Sequence, residues 1–243
     1  MSLVSVGIGM EPLSATTLAD QIADRIIDGI ASKRIGSGRR LTEAELAAEL
    51  QVSRVPVREA MQLLGSQGVL VPAPRRGLQV APFDAQWARQ LCEVRVSLER
   101  LCAHLVVQKY QQDPACLAKV DRAIEELEAC AAKADRRGVN RADIAFHAAL
   151  YEIADSPLLT ALWSGIARHV LILFSIETSD FAEFSYVVDE HRRYRAVITA
   201  GDLTRIDAEI EKHLTPFRLL ARTVERGARS PRRQASTDNK QGE

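Results

Sequence analysis

The stretch Leu41-Thr-Glu-Ala-Glu-Leu-Ala-Ala-Glu-Leu-Gln-Val-Ser-Arg-Val-Pro-Val-Arg-Glu-Ala-Met-Gln-Leu-Leu64 reads as two short helices joined by a two-residue turn. Thr42 and Glu45 stand three apart, the spacing of a capping box, and open a helix whose buried side is Leu46 and Leu50. Gln51 and Val52 then separate that helix from Ser53, the next N-cap. Pro56 falls inside the first turn, where its missing N–H does little harm. Val57, Met61 and Leu64 carry the apolar face of this helix, and Gly65 or Gly68 ends it.

Upstream, Leu18, Ile22, Ile26 and Ile30 recur every fourth position with Asp20, Asp24 and Asp28 between them, an amphipathic helix capped by Thr17. Gly36 and Gly38 are its expected stop. Downstream, Val69-Leu-Val71 and Leu78-Gln-Val80 are short β-type runs around the turn-rich Pro72-Ala-Pro-Arg-Arg-Gly77. Three helices followed by a hairpin make a winged helix-turn-helix over 14–82. Residues 1–13 carry little pattern and are expected to be mobile.

Arg54 and Arg58 lie four apart at the N-terminal end of the third helix. A recognition helix lays this end into the major groove of double-stranded DNA, where arginine bridges guanine O6 and N7. Two such arginines also suit the solvated face of any helix. The two-residue turn, the proline and the basic hairpin tip favour the DNA reading. Ser53 and nearby N–H groups are phosphate candidates, Arg75 and Arg76 stand where a wing touches DNA, and Arg39 and Arg40 precede the second helix.

Beyond Pro82-Phe-Asp84 the strand signals vanish. Helices are expected near 84–109, 114–135, 139–154, 157–176, 183–200 and 203–226. Their breaks fall at Asp113-Pro114, Gly138, Ser156-Pro157 and Gly201-Asp202. The fold class is therefore mainly α: an N-terminal winged helix-turn-helix and a C-terminal all-helical bundle over 83–226. The tail 227–243 is polar and without apolar periodicity, hence expected to be disordered.

Thirty-two basic and 32 acidic side chains balance, which argues against non-specific DNA packaging but leaves room for a local basic surface. Cys92, Cys102, Cys116 and Cys130 lie far apart with no CxxC pair, as buried small hydrophobes in a reducing compartment do. No signal peptide opens the chain, and no uncharged stretch reaches the length a bilayer requires. A cytoplasmic protein with no membrane partner is the expectation.

Asp143 and His147 share one helix face at i, i+4, and His191 and His213 fall on later helices. One carboxylate and three imidazoles suit a borderline divalent ion such as zinc or nickel, with positions left open for ligand or water. A lone helical histidine is more often a surface or hydrogen-bonded core residue, the reading that suits His104 and His169. An Asp/His3 metal with open positions also suits an enzyme. Against that, the sequence offers no activated nucleophile or phosphate loop, and the N-terminal unit would go unexplained. A purely structural metal is a further alternative.

The quoted stretch, with Gly68-Val-Leu and Arg75-Arg-Gly77, closely resembles the DNA-binding domain of the GntR family of regulators. The resemblance implies operator contacts from Ser53, Arg54, Val55, Arg58 and the wing near Gly77. Ala44 departs from relatives that carry a DNA-contacting arginine there. From Phe83 to about Leu220 the chain resembles the FCD ligand-binding domain of the FadR-type branch. The matching pieces are Glu93-Val-Arg-Val-Ser-Leu-Glu99, Asp143-Ile-Ala-Phe-His147, Glu190-His191, Gly201-Asp202 and Glu211-Lys-His213-Leu.

The second resemblance implies metal ligation by Asp143, His147, His191 and His213, and places Arg95 near the pocket. A guanidinium opposite a metal suits a small carboxylic-acid effector, while an i, i+4 ion pair with Glu99 is the simpler role for Arg95. Asp155-Ser156 departs from the Gly-Asn or Ala-Asn of many relatives, although Ser156 can still cap the next helix. Together the resemblances imply a homodimeric, ligand-responsive regulator, a repressor by expectation, on a pseudo-palindromic operator.

Overall fold

Ile22, Ile26, Ile27 and Ile30 are buried along one side of α1, Leu18–Ala31, in the computed structural model of the chain. The structure describes residues 17–74 and 76–214. The segments 1–13 and 227–243, Arg75, and the expected helix beyond 214 lie outside the described residues. Two units separate, Met1–Ala81 and Pro82–Glu243.

In the first unit Thr17 and Asp20 form a full capping box at the start of α1. The helix closes at Ser32, earlier than Gly36 and Gly38. The Ser32 hydroxyl donates to the Asp28 carbonyl at 2.6 Å, and Ile35 N–H returns to the Gly29 carbonyl at 3.0 Å. Ile35 can fold back because a Cβ at Gly29 would stand only 2.6 Å from its Cδ1. The box expected at Thr42 is half made: Thr42 Oγ1 accepts from Glu45 N–H, while the Glu45 carboxylate turns to Arg39.

Helix α2, Glu43–Leu50, ends at left-handed Gln51, and α3 follows over Arg54–Ser66. A short strand β1, Arg40–Leu41, joins the hairpin of β2, Leu70–Pro72, and β3, Leu78–Val80. The antiparallel order is β1-β3-β2, with Leu41 opposite Leu78 and Leu70 opposite Val80. β1 carries too few residues for its alternation to show in sequence.

In the second unit, α4 runs over Ala85–Gln112 and, after a 3₁₀ turn, α5 over Ala118–Ala132. Then follow α6, Arg136–Ala154; α7, Pro157–Glu177; α8, Ser185–Ala200; and α9, Leu203–His213. Gly138 is no break. It lies in the first turn of α6, where Asp135 caps its N–H at 3.0 Å and an added Cβ would stand 2.3 Å from Cys130 Sγ.

α7 is long and apolar enough to cross a membrane by length and composition. Arg168 and His169 interrupt it, and Leu159, Trp163, Val170, Leu173 and Phe174 join the apolar core of the helical unit. Cys92, Cys102 and Cys130 are buried, and Cys116 is half-buried. Mainly helical architecture with an N-terminal winged helix is thus what the chain adopts.

Candidate DNA interface and metal centre

The N-terminal end of α3 is the open face of the first unit. Ser53 holds the N-cap with extended backbone, and its hydroxyl makes no capping bond. Arg54 and Arg58 are exposed, and Val55 is 60% exposed although apolar. Arg58 is held by Glu43 of α2: Nε donates to Oε1 and Nη2 to Oε2, both at 2.8 Å. Across the sheet, Arg40 reaches the wing, its Nε lying 3.6 Å from where a Gly77 Cβ would be. Gly77 itself has φ +85°, a conformation that favours glycine. Arg76 is exposed beside it, whereas Arg39 is paired with Glu45. Glu43 escaped the sequence reading because its partner lies fifteen positions away.

In the helical unit, α6 supplies Asp143 and His147, α8 supplies His191, and the last turn of α9 supplies His213. One ligand atom from each lies within 4.8 Å of all the others, and all four side chains are buried. His191 Nε2 stands 3.1 Å from Asp143 Oδ1, and His213 Nε2 stands 3.2 Å from His147 Nε2. Two ligands each about 2.1 Å from one ion stand roughly 3.0–3.4 Å apart, so these spacings suit a shared cation.

Hydrogen bonding supports the same fit. His191 Nδ1 donates to the Val187 carbonyl at 2.8 Å, and its Nε2 faces Asp143 Oδ1. A proton on Nε2 or a shared cation satisfies that contact. Asp143 Oδ2 and His213 Nδ1 are buried without hydrogen-bond partners. Glu99 Oε1 lies 2.8 Å from His147 Nδ1, and Tyr194 Oη donates to Glu99 Oε2 at 3.2 Å. A carboxylate behind a ligating imidazole fixes its ring and raises its basicity.

Protonation also favours ligation. Burial pushes the Asp143 carboxyl up, but contact with His191 and the nearby charge of His147, His191 and Arg95 outweigh it and hold it below the usual range. Burial, joined by the neighbouring imidazoles and Arg95, drives His213 well below the ordinary histidine value. Burial likewise lowers His147, against the pull of Glu99. A lowered Asp143 carboxyl and lowered His147 and His213 imidazoles tend toward the forms that metal ligation requires.

Arg95 is buried against Glu99 and His147. Its Nε is 3.4 Å from Glu99 Oε1, a long contact, and its Nη2 is 2.6 Å from His147 Nε2. Beside the cluster a small cavity is lined by Asp143, His191 and His213 with Glu177, Tyr186 and Glu190. His104 lies elsewhere, 2.8 Å from Asp207, and His169 accepts from Trp87 Nε1 at 3.1 Å. Ser156 caps α7, its Oγ accepting from Leu159 N–H at 3.5 Å. Glu99 and Tyr194 were not assigned to the site from sequence; only the i, i+4 spacing of Glu99 from Arg95 pointed toward it.

An exposed helix end beside a wing, followed by an all-helical unit with a buried Asp/His3 cluster, defines a winged-helix DNA-binding regulator. The model for bacterial regulatory proteins of the gntR family matches residues 18–80, and the FCD domain matches 90–216. The chain belongs to the GntR family, in its FCD-containing branch, and is a DNA-binding transcription regulator rather than an enzyme.

Among its relatives is a probable D-xylose utilization operon transcriptional repressor of Paenarthrobacter nicotinovorans. It is 26% identical, with 84% of this chain and 89% of the relative covered. The gluconate operon transcriptional repressor of Bacillus subtilis is 25% identical, with 76% and 75% covered. The fold is shared with E. coli McbR/YncC at TM-score 0.73 and 20% identity, covering 86% of this chain and 98% of that one.

Proposed function

We propose that this regulator is a repressor that senses a small organic acid at a divalent-metal centre and binds a pseudo-palindromic operator as a homodimer in the bacterial cytoplasm. The observation that carries the sensing is the convergence of Asp143, His147, His191 and His213 within 4.8 Å, buried beside Arg95. These four residues would hold the ion, with zinc or nickel matching three imidazoles and a carboxylate. Such an ion supplies an electrophilic centre for one carboxylate oxygen of the effector. Arg95 would take another through its guanidinium fork, exchanging its contact with His147 for the acid. Relatives named for gluconate and D-xylose utilization operons support an effector of this size.

On the DNA side, Ser53, Arg54, Val55 and Arg58 would enter the major groove while Arg40, Arg75, Arg76 and Gly77 meet the backbone or minor groove. Arg39, held by Glu45, would contribute a phosphate contact only after releasing it. Exposed Val94 and Leu101 on α4, with Leu158 and Leu162 on the adjoining α7, support a second copy packing on the helical unit.

Metal content of chelator-free protein is the direct test. The wild type is expected to hold about one ion per chain, and His191→Ala to lose most of it, as expected for a four-ligand site. Full stoichiometry in that variant would refute the ligand set.

A further inference from the structure

Glu43 is not among the proposed DNA-contacting residues, yet its geometry ties it to one. Its carboxylate grips Arg58 at two points, both 2.8 Å, and joins the first residue of α2 to α3. The Arg58 and Glu43 side chains are 56% and 34% exposed, so the pair stands at the open face rather than in the core. A two-point grip fixes the plane of a guanidinium that would otherwise sample many rotamers.

The donors left over are the relevant ones. A guanidinium carries five N–H groups in a fixed fork. Glu43 takes Nε–H and one Nη2–H, which leaves the second Nη2–H and both on Nη1. One Nη1–H and the free Nη2–H form the end-on edge that bridges O6 and N7 of guanine. Charge acts in the same sense. Paired with Glu43, Arg58 adds little to the sequence-independent attraction for phosphates, and the carboxylate repels a phosphate approaching on its side.

We propose that Glu43 is a specificity-determining positioning residue that holds the Arg58 fork edge-out toward the base pairs and withholds its charge from the DNA backbone. The proposal rests on the reading of Arg58 as a base-contacting residue, and its test separates the two. A duplex is first selected from a random pool by the wild-type protein. Affinity for it and for a scrambled duplex of equal length is then measured over a range of salt concentrations. The proteins compared are the wild type, Glu43→Gln, Glu43→Asp and Arg58→Ala.

Glu43→Gln is expected to bind the scrambled duplex more tightly and to lose about tenfold in selectivity, the scale of one bidentate base contact. Its salt slope on that duplex should steepen by about one, as a released cation would cause. Glu43→Asp keeps the charge but is one methylene short, so it should lose selectivity at an unchanged slope. Arg58→Ala should lose at least as much selectivity as Glu43→Gln.

Wild-type selectivity and slope in both Glu43 variants, with selectivity lost in Arg58→Ala, would overturn the role of Glu43 and leave that of Arg58 standing. Full selectivity in Arg58→Ala would overturn both. If Glu43 only stabilised the start of α2, its variants would melt earlier and bind both duplexes equally weakly, which also refutes the proposal.

Discussion

At His191 a single backbone contact orients the ring as the proposed metal centre needs: Nδ1 donates to the Val187 carbonyl, and Nε2 faces Asp143. Glu99 does the corresponding work for His147 from α4, outside the ligand set itself. Glu99→Gln is therefore expected to weaken metal affinity by about 10–100-fold while leaving the ligands in place. Competition with a metallochromic chelator measures this, and unchanged affinity would remove Glu99 from the site. Arg58 acts on Glu43 in turn, its hydrogen bonds holding the carboxyl below the ordinary value of 4.5. A carboxyl lowered in the folded state contributes stability that is present above its unfolded pKa and is lost as pH falls through the folded one. NMR titration should place Glu43 below 4.5 in the wild type and return it upward in Arg58→Ala. A carboxyl that titrates identically in both proteins would mean the pair is not formed in solution.

Elements are held by details smaller than their hydrophobic periodicity. α6 begins two residues before Gly138 because Asp135 caps that turn and glycine alone leaves room for Cys130. α6 also carries Asp143 and His147, so its packing on α5 sets the height of two of the proposed ligands. Gly138→Ala should cost about 1–3 kcal/mol, the usual penalty for overpacking, and Cys130→Ala in the same chain should return part of it. Thermal melting of the single and double variants tests this, and an unaltered melting temperature in Gly138→Ala would show that Cys130 yields freely. α7 is fixed to α6 by a buried polar contact, Asn140 Nδ2 donating to Ser175 Oγ at 2.8 Å while Thr178 Oγ1 donates to Asn140 Oδ1 at 3.2 Å. The Thr178 hydroxyl also reaches the Phe174 carbonyl at 2.9 Å, so the contact links the two helices and fixes their register.

For the whole molecule, an ion held by Asp143, His147, His191 and His213 would tie α6, α8 and α9 together across the helical unit. A ligand that binds only the folded chain stabilises it by mass action, about 2.7 kcal/mol at a free concentration one hundred times Kd. Chelation should lower the melting temperature of the helical unit, and a small carboxylic acid should raise it only when metal is bound. Stabilisation of the chelated protein by the same acid would separate effector from metal. An acid can change DNA affinity only by its differential affinity for the arrangements of the regulator, so its effects on melting and on operator binding are measured together.

Local signals determined much of this protein. Apolar spacing at Ile22, Ile26 and Ile30, the two residues between α2 and Ser53, and the i, i+4 pair Asp143–His147 were legible because periodicity and capping are properties of neighbouring residues. Other features required the folded chain. Two-residue β1 exists only because β3 pairs with it, and Gly138 proved a packing site because Cys130 stands across from it. His191 and His213 could be nominated from sequence, but their distance from His147 depended on how α8 and α9 pack. Glu99 behind His147 and Glu43 beside Arg58 stand 48 and 15 positions from their partners. No local rule spans such separations. Only the packing of helices, driven by burial of apolar faces, turns those distant residues into neighbours.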